Sequence, residues 1–185
     1  MNIYQTERLI LKQLDENDAG KVLDYFNRNR EFLEKWEAQR SEEFFTLDFQ
    51  TESLKQDILS FQKGTSVKFW ILKKEDQEKV IGCISFSVIV RGILQSCIMG
   101  YKLDESELKK GFITEAIKKA IEVMFNELGL HRIEAPIMPK NEASIQVVKK
   151  LGFTNEGISR KMIRVNGIWE DHIRWAIINE SDKEL

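Results

Sequence analysis

The chain has 185 residues, 42% hydrophobic and 31% charged, a balance that suits one domain with a sizeable core. With 28 basic and 30 acidic side chains the net charge is −2, which argues against a general nucleic-acid or membrane-surface binder, because phosphate affinity needs concentrated positive charge. No apolar run has the length of a membrane span, and the opening MNIYQTERLI lacks the apolar stretch of a signal peptide, so a cytoplasmic protein without a membrane partner is expected.

TERLILKQL (6–14) alternates as a strand does. DENDAGKVLDYFNRN (15–29) predicts a helix, with Asp15 as N-cap and Val22, Leu23, Tyr25 and Phe26 on its apolar face. EFLEKWEAQR (31–40) predicts a second, short helix with Phe32, Leu33 and Trp36 on one side, and residues 47–64 a third that ends near Gly64. Strands follow at 66–74, 79–90 and 93–103, with EDQE as the first turn and VRGI (90–93) as the second. From 112 to 128, Ala116, Ile117, Ala120, Ile121, Met124, Phe125 and Leu128 recur at helical spacing, and Gly129 is the expected stop. HRIEAPIM (131–138) reads as a strand, and NEASIQVVKKLGF (141–153) as a helix capped by Asn141 with Gly152 at its end. Two last strands, about 158–165 and 169–178, meet at the turn VNG, and the polar NESDKEL tail is expected to fray.

The 112–128 helix links one strand to the next as a crossover, so strands 93–103 and 131–138 should be parallel and the rest of the sheet mostly antiparallel. The predicted fold class is α+β, a mixed sheet flanked by helices. A tight hairpin at VRGI would put Cys83 opposite the region of Gly100 and Cys97 opposite that of Phe86, so the two are not expected to bond. Each reads as a small buried hydrophobe. His131 and His172 show no metal-ligand spacing, and no metal is expected.

The stretch LDESELKKGFITEA (103–116) joins a strand to the crossover helix. A helix start presents unpaired N–H groups and partial positive charge, Gly111 allows close backbone approach, and Lys109 and Lys110 add attraction for phosphate. A solvated loop leading into a core helix is the other reading. A second helix opens nearby at Asn141, at the carboxyl end of the neighbouring strand, where ligands often lie in α/β sheets.

The run GYKLD…KKGFITEAIKKAIEVMFNELGLHRIEAPIMPKNEASIQVVKKLGF…EG resembles the GNAT acetyltransferase superfamily. With TERLILKQL, NREFLEKWE, VIVRGILQSCIMGY and NGIWEDHIRW it is similar, more narrowly, to the Rim-type ribosomal-protein N-terminal-alanine acetyltransferases, the RimJ-like ones most of all. The resemblance covers about residues 5–178 and so implies one N-acetyltransferase domain over 1–185. It implies acetyl-CoA as acyl donor and a primary amine as acceptor.

By that resemblance Met99, Gly100 and Tyr101 in CIMGYKL hold the pantetheine arm and polarise the thioester carbonyl. The pyrophosphate loop falls on Leu108, Lys109, Lys110, Gly111, Phe112 and Ile113, with Thr114 after it. The family pattern is Gln/Arg-x-x-Gly-x-Gly/Ala, and only Gly111 keeps it; Leu108 and Ile113 depart, and Lys109 stands where close relatives carry glycine. Asn141 would bond the pantetheine, and Ser144 would protonate the leaving thiolate; a plain N-cap and a solvated hydroxyl are the alternative readings. Val148 stands where many members carry a tyrosine. Glu134 in HRIEA and Glu37 in KWEAQR are candidate bases, with surface charge as the other reading; the Rim-type branch implies another, a glutamate on the first strand of the last hairpin, where this chain has Ile163. Phe32 and Trp36 line the acceptor wall or pack in the core.

The expected function is direct acetyl transfer to a protein N-terminus, a ribosomal protein for instance, as monomer or homodimer and with no direct nucleic-acid partner. A small-amine acetyltransferase, for an antibiotic or polyamine, and a non-catalytic acyl-CoA-binding module are the alternatives.

Overall fold

The computed structural model describes residues 3–181, so the last four residues of the tail expected to fray lie outside it. In chain order the elements are β1 (Ile3–Gln5), β2 (Leu9–Lys12), α1 (Ala19–Arg28), α2 (Arg30–Leu33), α3 (Leu47–Gln62), β3 (Val67–Lys73), β4 (Asp76–Val90), β5 (Ser96–Leu103), α4 (Phe112–Asn126), β6 (Arg132–Ile137), α5 (Glu142–Lys150), β7 (Thr154–Val165) and β8 (Ile168–Ile178). The strands form one sheet in the order β1-β2-β3-β4-β5-β6-β8-β7. Its pairs are antiparallel except β5 with β6, where the crossover through α4 returns the chain in the same direction.

Several expectations change. The segment 6–14 contains only β2, because the Thr6 backbone and hydroxyl bond Leu9 and bend the chain out of β1. The segment 31–40 is helical only to Leu33; Trp36 N–H then reaches the Leu33 carbonyl, a tighter turn, and Glu37 is drawn off by Lys102 and Arg40. Asp15 caps a 3-10 turn, Glu16–Asp18, ahead of α1. The first hairpin turns at Lys74 and Glu75, so Asp76 already belongs to β4. Cys83 faces Lys102 rather than Gly100, and Phe86 faces Met99, because residues 91–95 form a longer loop and β4 carries a bulge between Ser87 and Val90. Both cysteines are free and buried, and burial raises both thiols, Cys97 to about 12, so neither is a ready thiolate.

The sheet is covered on both faces. On one, Ala116, Ile117, Ala120 and Met124 of α4 are fully buried against Leu9, Leu11, Phe69, Ile71, Ile84 and Phe86. The two alanines let the helix backbone approach the strands, and each large side chain buried contributes about 1.5–3 kcal/mol. On the other face, Val22, Tyr25 and Phe26 of α1 and Leu54 of α3 pack on Trp70, Val80 and Cys83.

The parallel pairing of β5 with β6 is short. It runs from Ser96 opposite Arg132 to Ile98 opposite Glu134. Beyond it, Met99–Leu103 pair only with β4, and Ala135–Ile137 only with β8. The two strands diverge into a wedge, with α4 and α5 starting at its wide end.

Candidate active site

The wedge opens into a cavity of about 850 Å³. Its inner wall is β5, from Met99 to Leu103. Here Tyr101 spans the wedge, its hydroxyl donating to the Ser144 carbonyl at 3.0 Å; burial pushes that phenol up to about 12, so it stays a neutral donor.

One end is built by two helix starts. At α4, Gly111 is the N-cap at φ +82° and offers no capping side chain, so the first-turn N–H groups from Phe112 to Thr114 are left to a ligand. Leu108, Lys109, Gly111, Phe112, Ile113 and Thr114 all border the cavity. Ile113 also packs on the core, which absorbs its bulk. At α5, the Asn141 side chain accepts from the Ser144 N–H at 3.1 Å, and both residues border the cavity. Pyrophosphate and an amide-bearing arm fit these groups: N–H donors at a helix start, with Lys109 and Lys150 beside them.

The other end lies between the turn after α2 and the β7–β8 hairpin. Phe32, Trp36, Glu37 and Arg40 face Ile163, Arg164, Val165 and His172. The Asn166 side chain donates to the Glu34 carbonyl at 2.8 Å and ties the two sides together. Glu37 is ion-paired with Lys102 and with Arg40; burial opposes its charge, but the two cations hold its carboxyl below the usual range.

Residues 8–154 match the family model for the acetyltransferase (GNAT) domain. The chain belongs to the GNAT acetyltransferase family. It is 36% identical over 176 residues to the Bacillus subtilis protein YjcK, named a probable N-acetyltransferase, covering 95% of this chain and 97% of that one. It is 33% identical over 172 residues to the Escherichia coli ribosomal protein uS5 alanine N-acetyltransferase, covering 93% and 88%. The crystal structure of the ribosomal-protein-S5-alanine acetyltransferase of Vibrio fischeri superposes with a TM-score of 0.93 at 34% identity, over 100% of both chains. This GNAT chain is therefore an N-acetyltransferase, of the family whose acyl donor is acetyl-CoA.

In this acetyltransferase the wedge brings together Met99, Gly100, Tyr101, Asn141, Ser144, Phe32, Trp36 and Glu37, all named from the sequence. Two named residues lie off the cavity wall. Lys110 turns its ammonium to Glu107 at 2.9 Å. Glu134 is held by Arg132 at 2.9 Å and by Arg174 at 3.2 Å. Among the described residues no cluster of His, Cys, Asp or Glu could hold a metal, and no helix is long and apolar enough to cross a membrane.

Sequence reasoning missed a brace behind the loop that opens α4. Arg8 bonds Glu115 through Nε at 2.7 Å, donates to the Lys110 carbonyl at 3.1 Å and stacks on Phe112 at 4.5 Å. Glu115 also accepts from Thr6 at 2.5 Å and from the Arg8 N–H at 2.9 Å. More than a hundred positions separate these partners, and the only signal was the polar TER ahead of an apolar strand.

Proposed function

We propose that this enzyme acetylates the α-amino group of a protein N-terminus, with a ribosomal protein as the acceptor to test first. The observation that carries this is a cavity continuous from the two helix starts, through the wedge, to an aromatic acceptor wall. The match to enzymes named for alanine of ribosomal protein S5 supports the same acceptor. A cytoplasmic site of action goes with it.

In this reading the α4 N–H groups and Lys109 bind pyrophosphate, Asn141 orients the arm, and the free edge of β5 aligns and polarises the thioester. Ser144 gives the departing sulfur its proton. The acceptor end carries Lys102, Arg40 and Arg164 against one carboxylate, Glu37, already paired. That positive field favours the neutral, reactive form of the incoming amine. It also disfavours a polyamine, which would bring further positive charge.

The test is thiol release from acetyl-CoA with peptides bearing N-terminal alanine or serine, with intact ribosomal proteins, and with small amines. Turnover is expected on the N-terminal peptides, with loss when their α-amino group is blocked. Turnover on small amines alone would sink the peptide reading.

A further inference from the structure

We propose that His172 is the general base of the transfer, its Nε2 taking the proton of the attacking amine. The proposal rests on the acetyl-transfer reading above and concerns the same cavity.

The geometry begins with the tautomer. His172 Nδ1 lies 3.1 Å from the Glu170 carbonyl oxygen, an atom that only accepts, so Nδ1 carries the ring hydrogen and Nε2 the lone pair. His172 is 4% exposed and borders the cavity. Among the described residues Nε2 meets no hydrogen-bond partner. Nor is it sealed off: the side-chain polar atoms both buried and unpartnered are the Tyr25 hydroxyl and the Trp175 indole nitrogen. Nε2 therefore opens to the cavity. On β8, His172 shares its face with Arg174, which stands opposite Pro136 of β6, and Pro136 also borders the cavity beside the wedge.

The other titratable groups on that wall are poor bases. The lysines and arginines have no lone pair as cations. The Tyr101 hydroxyl is spent as a donor to Ser144. Glu37 is bound to Lys102 and Arg40 and ionises more readily than an ordinary glutamate, which makes it a weak base. An imidazole with one bare ring nitrogen can take up a proton and release it again, which suits the task. The charges around His172 are largely paired: Glu170 with Lys140 at 2.6 Å, Arg174 with Glu134 at 3.2 Å, while Arg164 of β7 donates to the Gly167 carbonyl at 3.1 Å.

In the step, the amine nitrogen bonds the acetyl carbon as its proton passes to Nε2. The carbon–sulfur bond then breaks, Ser144 protonates the sulfur and regains a proton from solvent, and Nε2 returns its proton to solvent. Amide and free thiol are the products, and no other reactant is needed.

The test is His172→Asn, whose side-chain amide keeps a donor for the Glu170 carbonyl and removes Nε2. At pH ~7, kcat should fall by about 10²-fold or more, with KM for acetyl-CoA and melting temperature unchanged. A kcat within about threefold of wild type overturns the assignment. A second measurement needs no turnover and no variant: ¹⁵N spectra of the imidazole in the wild-type protein. Nε2 should be the bare nitrogen at neutral pH and should shift when a peptide–CoA conjugate binds; a bare Nδ1, or no shift, overturns it. The kinetic comparison uses whichever acceptor the wild type turns over, so the role of His172 is tested separately from the acceptor class.

Discussion

Lys109 borders the cavity from a strained backbone conformation. Its φ is +61°, the left-handed region where a side chain clashes with its own backbone and only glycine sits freely. The family resemblance expects glycine at this position, and the backbone supplies the reason. Lysine sets a cation beside the proposed phosphate seat at a conformational cost of about 1–2 kcal/mol. Lys109→Gly should therefore keep or slightly raise the melting temperature while weakening CoA binding, and Lys109→Val should lower it by about 3–6 °C. Calorimetry and CoA titration of the pair check this; a glycine variant as destabilised as the valine one would show that the strain is not there. The residues bordering much of the cavity were legible, because Gly111, Asn141 and Ser144 stand at helix starts that the local sequence marks. Lys110 and Glu134 were not, because the direction of a long side chain depends on partners that the local sequence does not contain.

At the scale of elements, α4 and its loop stand on Arg8. The guanidinium donates to the Lys110 carbonyl and so fixes the residue just before the Gly111 N-cap of α4. Arg8→Gln should raise KM for acetyl-CoA about tenfold, the worth of one charge-assisted hydrogen bond, and leave kcat within about twofold. An acetyl thioester lacking the pyrophosphate should react equally well with both proteins; an equal loss on both donors would mean that Arg8 supports the fold and not the loop. Here periodicity served well for α4 and α5, whose apolar spacing and caps are local. It failed across 31–40, where Phe32, Leu33 and Trp36 keep helical spacing but ion pairs from Glu37 to Lys102 and Arg40 end the helix early. The strand β1 is three residues long and too short to leave a pattern.

Across the whole molecule, the order of elements and the parallel crossover were readable, because chain direction follows from connection length. The two-residue slip at β4–β5 was not, since a bulge leaves no mark in hydrophobic pattern. One distant ion pair fastens a helix layer to the sheet: Arg28 of α1 reaches Asp104 at 2.9 Å and the Val80 carbonyl at 2.9 Å, tying α1 to the segment that leads to α4. Burial opposes the charge of Asp104, but bonds from the Ser106 hydroxyl and N–H and from Arg28 outweigh it and bring its carboxyl down to about 2. A carboxyl that is more acidic folded than unfolded contributes stability above its unfolded value, and that contribution fades as pH falls toward the folded one. The window here runs from pH ~4 down to the folded value, and the contribution above it is up to about 2 kcal/mol. Glu107 and Glu115 are lowered as well, each by partners that outweigh its burial, so the acid limb should be steep. Asp104→Asn should cost about 4–8 °C of melting temperature at pH ~7, and the difference from wild type should close as pH falls through that window. A difference that persists unchanged at the acid end would mean that Asp104 acts through packing and not through its charge.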